Sequence, residues 1–326
     1  MSHVLVAGSA GLLGSAVVEK VLAKGDTVVA VDFLEAPGSL DSKETRVERL
    51  RRLPRTTALR LLAHDLTQPD ELFAGAPPDM VVNAARFARG TCGSLALIEA
   101  ARRAGTSLFV HVSDSDLYGP SPEPGRRAGE DEPVSPGDDP TLRLREEEEE
   151  ALRRSGMPFA ILRCFELLSP SLPSTRFPIG ALEALLSGDP IPEPDDLPRD
   201  FLHVDDAAEG VVLALERPPL GEVVNLGSGV GTSPRGVLGG LAAAAGLTPR
   251  FQGTAPAPAR EPRIADVERS WQRLGFAPRH SIGGMLDEIL RSRLSTIAAP
   301  EPRPQPRQVS RRHLFDMFRR PFGGGG

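Results

Sequence analysis

Three glycines near the start of the chain, Gly8, Gly11 and Gly14, constrain the fold more than any other feature of the sequence. They follow the apolar segment 3–7 and lead into residues 13–22, where apolar side chains recur at helical spacing. A strand, a glycine turn and a helix N-terminus in this order let a pyrophosphate approach the backbone and offer it unpaired N–H groups. The pattern therefore predicts a dinucleotide-binding loop, with a glycine-rich turn in another α/β protein as the alternative.

An acidic residue in the next strand supports this prediction. The apolar segment 27–31 ends at Asp32, close to the spacing of about 20 residues at which such folds place the acid that binds the adenosine ribose. Because a carboxylate opposes the 2′-phosphate of NADP, Asp32 predicts that the cofactor is NAD.

Composition and charge exclude several classes of function. A formal net charge of −6 over 326 residues argues against nucleic acid as a partner, and no apolar run is long enough to span a membrane. The six histidines lack metal-ligand spacing, so no metal site is predicted. Cys92 and Cys164 lie in apolar surroundings, and no N-terminal signal sequence is recognisable. These features together predict a cytoplasmic protein.

Strand-like segments alternate with helical patterns along the first half of the chain. The strand-like segments are 58–63, 79–83, 107–112 and 158–163, and the helical patterns between them are 93–104 and 141–155. This alternation predicts an α/β fold, a doubly wound, Rossmann-like parallel sheet with a smaller C-terminal mixed α/β lobe. The predicted divisions are an NAD-binding domain over 1–165, to which 199–226 returns, a substrate lobe over 166–298, and a proline-rich linker with a basic tail over 299–326.

The tail differs from the rest of the chain in charge. Residues 301–326 contain six arginines and two acidic residues, a net charge of +4. Segment 310–322 combines these arginines with Leu314, Phe315 and Phe318, which predicts docking to a protein or to an anionic surface. A disordered tail is the alternative.

Further motifs resemble those of the NAD-dependent epimerase/dehydratase family, the extended short-chain dehydrogenases/reductases. In chain order they are the glycine loop 8–14, His64-Asp65-Leu66, Asn83-Ala84-Ala85, the segment 112–119, Ile161-Leu162-Arg163 and the segment 199–206. The resemblance covers roughly residues 1–295 and is specific for the family, not for a substrate.

This resemblance implies a set of NAD contacts and a small-molecule substrate. The residues that it assigns to NAD are Gly8, Ala10, Gly11, Leu12, Leu13, Gly14, Asp32, Asp65, Leu66, Ala84 and Ala85. It assigns Glu166 and Arg199 to the substrate side, Glu166 at a position where nucleotide-sugar enzymes often have asparagine beside the diphosphate. A carboxylate there repels a diphosphate unless a cation intervenes.

The chain departs from the family at the catalytic tyrosine and lysine. In the family, the tyrosine takes the proton of a substrate hydroxyl, and a lysine four residues later lowers the pKa of the tyrosine and holds the ribose. The single tyrosine here, Tyr118, falls at a position that is usually structural. Depending on the register, the catalytic pair becomes Thr141 and Arg145, or Leu142 and Glu146, and neither register supplies a phenol.

The expected catalytic serine is also replaced. Asp114 occupies its position, with Ser113 and Ser115 on either side, and these three residues are the candidates for a substituted catalytic set. Because several catalytic positions change together, the main hypothesis is an NAD-binding protein with a degenerate site that acts weakly or not at all and serves as a sensor, scaffold or partner-binding protein. The alternative hypothesis is an active NAD-dependent oxidoreductase or epimerase that uses substituted acid–base residues on a sugar-derived or small hydroxylated substrate.

A run of five glutamates, Glu146 to Glu150, falls in the helix that carries these positions. The run predicts a solvated helix face with i,i+4 ion pairs from Glu149 to Arg153 and from Glu150 to Arg154, each worth about 0.2–0.5 kcal/mol. Family dimers commonly pack this helix against a partner. The acidic run therefore predicts a monomer, or an assembly through another surface.

Overall fold

The structure is a computed structural model that describes residues 1–33, 42–85, 93–121, 123, 125–254 and 262–298. The first elements are β1 His3–Ala7, α1 Leu12–Ala23, β2 Thr27–Asp32, α2 Lys43–Arg52, β3 Leu59–Ala63, β4 Met80–Asn83, α3 Gly93–Ala104, β5 Leu108–Asp114, β6 Arg127–Ala128, α4 Pro140–Arg154 and β7 Phe159–Cys164. They are followed by β8 Glu166–Leu168, α5 Ile179–Ser187, β9 Ile191–Glu193, β10 Arg199–His203, α6 Val204–Glu216, β11 Val223–Leu226, β12 Gly231–Thr232, α7 Pro234–Ala245, β13 Phe251–Thr254, β14 Ile264–Ala265, α8 Glu268–Leu274 and α9 Ile282–Ala298. The strands and helices predicted in the first half are confirmed, with their ends shifted by one or two residues.

A seven-stranded parallel sheet forms the centre of the molecule, in the order β11-β7-β5-β4-β1-β2-β3. Its strands other than the edge strand β3 are largely buried because helices cover both faces, as expected for a parallel sheet. The chain runs outward from β1 to β3 and then restarts on the other side of β1 with β4. Such a reversal opens a crevice beyond the carboxyl ends of the two strands. The predicted doubly wound α/β fold is confirmed.

Apolar faces of four helices cover the sheet. On one face, α1 and α6 pack together and contribute Val17, Val21 and Val211 to the core. On the other face, α3 and α4 contribute Leu97 and Leu152. Full burial of such a side chain stabilises the fold by about 1.5–3 kcal/mol, so the helical spacing of these residues accounts for the docking of the helices.

The C-terminal lobe has smaller sheets and its own apolar core. β8, β10 and β12 form a three-stranded sheet, and β9 pairs with β13. Helices α5, α7 and α9 bury residues such as Leu182, Leu241 and Ile289 together. Leu12, the first residue of α1, packs against both this core and the core of the large sheet. The glycine loop therefore lies at the junction of sheet and lobe.

The glutamate run is not a solvated face, which corrects the prediction. Glu148 and Glu149 are each only 1 % exposed. Glu148 pairs with Arg145 of the same helix at 2.7 Å, and Glu149 pairs with Arg163 of β7 at 2.8 Å. The two carboxylates can be buried rather than solvated because each has a guanidinium partner inside the protein. The two predicted i,i+4 pairs are confirmed, Glu149–Arg153 at 2.9 Å and Glu150–Arg154 at 3.1 Å.

Some predicted features fall outside the described residues, namely Cys92 and the tail 310–322. Cys164 is buried at the end of β7, as predicted. In the part of the chain that the structure describes, no helix is long and apolar enough to cross a membrane.

Candidate functional site

The glycine loop packs directly on the residues that follow β4. Gly8 has a φ of +78°, and a Cβ on it would lie 2.6 Å from both the nitrogen and the Cα of Ala85. A Cβ on Gly14 would overlap the carbonyl oxygen of Gly8. Larger residues would therefore push the loop, the first turn of α1 and the end of β4 apart. Glycine at these positions is a requirement of close packing.

The start of α1 is suited to an anion. Gly11 precedes the helix and has no side chain that could cap its first N–H groups. Within the loop, the hydroxyl of Ser9 is buried and has no hydrogen-bond partner among the described residues. Unsatisfied donors at a helix N-terminus fit a pyrophosphate. The loop therefore has hydrogen-bond donors that fit the diphosphate part of a dinucleotide.

Asp32 lies beside this loop at the end of β2. Its Oδ2 accepts a hydrogen bond from the backbone N–H of Ala10 at 2.7 Å, and its Oδ1 pairs with Arg46 of α2. Arg46 also donates to the carbonyl oxygen of Phe33 at 2.8 Å. Burial raises the pKa of Asp32, and Arg46 opposes the rise. Sequence reasoning missed Arg46, because nothing in α2 indicates which of its four arginines pairs with Asp32.

The remaining predicted cofactor residues follow β3 and β4 at the same edge of the sheet. Asp65 accepts the backbone N–H of Thr67 at 2.9 Å, and Leu66 beside it is buried. The N–H of Ala84 donates to the carbonyl oxygen of Ala7 at 3.0 Å, which ties the end of β4 to β1. Parallel strands end at one edge, so these residues line one crevice.

The three candidates for a substituted catalytic set differ in their surroundings. Ser113 is buried, and its hydroxyl donates to Oε1 of Glu149 at 2.6 Å, so it serves the ion pair of α4 and β7. Ser115 is also buried. Asp114 is only partly buried, and its Oδ1 accepts the backbone N–H of Asp116 at 3.0 Å. Asp114 is therefore the most accessible of the three at the end of β5.

The single tyrosine is a core residue. Tyr118 donates its hydroxyl proton to Oδ1 of Asn225 at 2.6 Å, and the guanidinium of Arg163 lies 4.7 Å from the ring centroid. Burial raises the pKa of the Tyr118 phenol to about 12. A phenol that is buried and already engaged does not exchange protons with a substrate near neutral pH. Tyr118 is thus a structural residue.

Helix α4 carries Arg145, whose side chain points toward the end of β4. Arg145 is buried, and its Nη2 donates to the carbonyl oxygen of Ala85 at 2.8 Å, while Nη1 pairs with Glu148 at 2.7 Å. Behind this pair, Nε2 of His111 lies 3.4 Å from Glu148. Burial lowers the pKa of His111 to about 4, so this imidazole is neutral near pH 7.

The two possible registers of the catalytic pair have different consequences. The register Thr141 and Arg145 places a guanidinium at Ala85, whereas Leu142 of the other register is buried as an apolar core residue. Leu142 offers no group that could carry a proton.

Glu166 and Arg199 lie together at the opening of the lobe. Oε2 of Glu166 is 3.9 Å from Nη1 of Arg199, and Nη2 of Arg199 donates to Asp195 at 2.6 Å. Burial raises the pKa of Glu166, and Arg199 opposes the rise. Asp195 is a further residue that sequence reasoning missed, since it lies in a loop without a motif.

One cluster of metal-ligand types occurs among the described residues, formed by His203, Asp205 and His280. Nδ1 of His203 accepts the backbone N–H of Asp205 at 3.2 Å and so caps α6. The rings of His203 and His280 stack with centroids 4.0 Å apart. The candidate ligand atoms of the cluster lie within 4.8 Å of one another. Nδ1 of His203 is already used in the helix cap, and Nδ1 of His280 lies 3.0 Å from Oδ1 of Asp206, so each of these rings has a contact within the fold.

Comparisons with known proteins show which proteins this chain is similar to. The model of the NAD dependent epimerase/dehydratase family matches residues 4–227. A UDP-glucose 4-epimerase of Azospirillum brasilense is 30% identical over 330 residues, which cover 90% of this chain and 91% of that protein. A dTDP-glucose 4,6-dehydratase of Streptomyces griseus is 30% identical over 303 residues, with 85% and 89% covered.

Solved structures show the same fold. The UDP-glucuronic acid 4-epimerase of Bacillus cereus in complex with NAD superposes with a TM-score of 0.77 at 21% identity, over 90% of this chain and 99% of that chain. The protein MoeE5 in complex with UDP-glucose and NAD gives a TM-score of 0.75 at 25% identity, over 91% and 100%.

Proposed function

We propose that this chain, which belongs to the NAD dependent epimerase/dehydratase family, uses NAD to oxidise a hydroxylated, sugar-derived substrate in an epimerase or related oxidoreductase reaction. The observation that carries the proposal is the crevice at the reversal of the sheet. There the glycine loop and Asp32 lie on one side, and Ala85 with the guanidinium of Arg145 lies on the other.

In this proposal, different residues of the crevice bind different parts of NAD. The backbone around Ala10, Leu12 and Leu13 holds the pyrophosphate, and Asp32 accepts the hydroxyls of the adenosine ribose. Asp65 and Leu66 border the adenine, while Ala84 and Ala85 border the nicotinamide end. NAD, when bound, supplies the acceptor of the hydride.

Acid–base chemistry falls to Asp114 in this proposal. A threonine hydroxyl at position 141 is a poor acid, and Ser113 is committed to Glu149, so the carboxylate of Asp114 takes the proton of the substrate hydroxyl. The guanidinium of Arg145, which pairs with Glu148 and donates to the carbonyl oxygen of Ala85, takes the place of the family lysine near the nicotinamide end. It performs the holding part of that lysine.

The test incubates the protein with NAD and a panel of sugars, sugar nucleotides and small alcohols. NADH fluorescence detects net oxidation, and chromatography of the products detects epimerisation, which regenerates NAD and leaves no net NADH. Activity that is abolished in Asp114→Asn and retained in Asp116→Asn, at unchanged NAD affinity, supports the proposal. Equal activity of Asp114→Asn and wild type would remove Asp114 from the mechanism.

A second candidate function is a non-catalytic NAD-binding protein, such as a sensor or scaffold. The observation that favours it is the burial of the only phenol, Tyr118, in the core. Tight NAD binding without turnover on the whole panel supports this candidate against the first.

A further inference from the structure

The two backbone polar groups of Ala85, at the proposed nicotinamide end, are both held from inside the protein. The N–H of Ala85 donates to Oδ1 of Asn83 at 3.2 Å, and its carbonyl oxygen accepts Nη2 of Arg145 at 2.8 Å. Gly8 of the cofactor loop packs against the same residue, since a Cβ on Gly8 would lie 2.6 Å from the Cα of Ala85. The position of Ala85 therefore affects the shape of the cofactor crevice directly.

A chain of side chains joins these two hydrogen bonds behind Ala85. Because Oδ1 of Asn83 accepts the N–H of Ala85, its Nδ2 is turned to Nδ1 of His111 at 3.3 Å. An amide nitrogen only donates, so Nδ1 of His111 accepts and the proton of the neutral imidazole is on Nε2. This Nε2 lies 3.4 Å from Oε2 of Glu148, which pairs with Arg145 at 2.7 Å. The contacts form a closed circuit that begins and ends at Ala85.

The charges within this circuit cancel. Its four side chains are at most 3 % exposed, so water does not screen them. The charged groups that shift the pKa of His111 are Glu148, Arg145 and Glu149, and Glu149 has its own partner in Arg163 at 2.8 Å. One guanidinium and one carboxylate, Arg145 and Glu148, thus remain beside a neutral imidazole. Because a buried charge is costly without a partner, Glu148 is what allows the guanidinium to be buried at this position.

A bare guanidinium and a paired one act differently on a nicotinamide ring. The ring carries a positive charge in NAD and none in NADH, so an unpaired cation beside it weakens the binding of the oxidised form alone. A carboxylate in contact with the guanidinium removes this discrimination, while other N–H groups of the guanidinium still donate to the carbonyl of Ala85. Glu148 supplies such a carboxylate from one helical turn away.

We propose that Glu148 is a positioning residue of the cofactor site, which holds the Arg145 guanidinium on the carbonyl oxygen of Ala85 and cancels its charge toward the nicotinamide ring. His111 and Asn83 complete the support of Ala85 from the side of the sheet. The proposal rests on the proposed function, because that function places the nicotinamide end at Ala85. It concerns binding and does not depend on which residue is the catalytic base.

The test measures the dissociation constants of NAD and NADH for the full-length protein by calorimetry and compares their ratio among variants. Glu148→Gln leaves the guanidinium uncompensated, so the ratio should move in favour of NADH by about tenfold. Glu148→Asp keeps the charge and should keep the wild-type ratio. Glu150→Gln is the control, because Glu150 pairs with Arg154 on the exposed side of the same helix at 3.1 Å. Partial unfolding of a variant does not disturb the comparison, because unfolded protein lowers both apparent affinities by the same factor.

A double variant separates the charge from the hydrogen bond. Arg145→Met combined with Glu148→Gln removes both charges together, so no buried charge is left unpaired. The ratio should return to the wild-type value. Both affinities should still fall by about tenfold, because the carbonyl oxygen of Ala85 loses its donor.

Three results would overturn the proposal. An unchanged ratio in Glu148→Gln would show that this carboxylate does not control the charge at the nicotinamide end. An equal shift in Glu148→Gln and in the double variant would show that the charge of Arg145 is not the cause. Wild-type affinities in the double variant would show that Ala85 needs no support from α4. Absence of turnover would instead count against the proposed function and would leave these binding ratios unaffected.

Discussion

The two ends of the crevice use different parts of the polypeptide. At the cofactor end, the site consists mainly of backbone, namely a glycine turn, a helix N-terminus and one anchored carboxylate, Asp32. At the proposed substrate end, it consists of charged side chains, namely Asp114 and Glu166 where the family resemblance implies serine and asparagine, and Arg145 where one of the two possible registers implies lysine. Backbone donors survive most substitutions, whereas a catalytic phenol has no substitute in the main chain. The comparison shows why an NAD site and family-type catalysis are separable in one chain.

The largest expected effect on ligand binding is at the cofactor end. Gly14→Ala places a methyl group on the carbonyl oxygen of Gly8, so the loop must shift away from Ala85. We expect NAD affinity to fall by about a hundredfold or more, measured by calorimetry. Gly239→Ala in α7 is the control, because no atom lies within 4 Å of the added carbon. Equal NAD affinities in the two variants would show that the loop is not built from close backbone contact.

The next prediction concerns stability, and it tests how strongly the fold depends on the buried ion pair between α4 and β7. Glu149→Gln leaves Arg163 buried without its carboxylate, and we expect the free energy of unfolding to fall by about 3–5 kcal/mol in urea titrations. The adjacent Glu150→Gln breaks an exposed pair with Arg154 and should cost less than about 1 kcal/mol. Similar losses in both variants would contradict the contrast between buried and exposed acids in α4.

The third prediction is that the stability of the protein depends on pH through His111, which lies in the core behind Arg145. The pKa of His111 is lowered by burial from 6.5 to about 4, so the unfolded chain binds this proton more readily than the folded protein does. The contribution of neutral His111 to the free energy of unfolding is therefore fully present above pH 6.5. It is lost as the pH falls toward 4, by about 3 kcal/mol. His111→Leu should flatten this part of the stability profile, and the control His64→Gln should not. An unchanged slope in His111→Leu would assign the pH dependence to other groups.

The smallest predicted effect concerns the choice of cofactor. Asp32→Asn removes the charge that opposes a 2′-phosphate, so the preference of the protein for NAD over NADP should shrink by about tenfold. Asp26→Asn is the control, because the carboxylate of Asp26 accepts the backbone N–H of Ser2 at 2.7 Å. If the wild type binds NADP more tightly than NAD, Arg46 rather than Asp32 dominates the ribose end.

Local patterns predicted the parts of the fold that depend on neighbours in sequence. The apolar strands, the helical spacing over 93–104 and the glycine turn each need only a few consecutive residues, and all of them are present. The position of the Arg145 guanidinium could not be predicted locally, because its hydrogen-bond acceptor, the carbonyl oxygen of Ala85, lies 60 residues away in sequence. Charged residues are the least predictable, because a glutamate is buried or exposed according to a partner that periodicity does not identify.

By itself, the sequence determined a parallel doubly wound sheet, an NAD loop at its switch point and the absence of a catalytic phenol from the expected helix. Only the tertiary structure decided that Glu148 and Glu149 are internal, that Arg46 pairs with Asp32, and that Arg199 pairs with Asp195 beside Glu166. The physical reason is the same in each case. Hydrophobic burial follows from a residue and its spacing, whereas burial of a charge is stable only where the fold brings an opposite charge within hydrogen-bond distance.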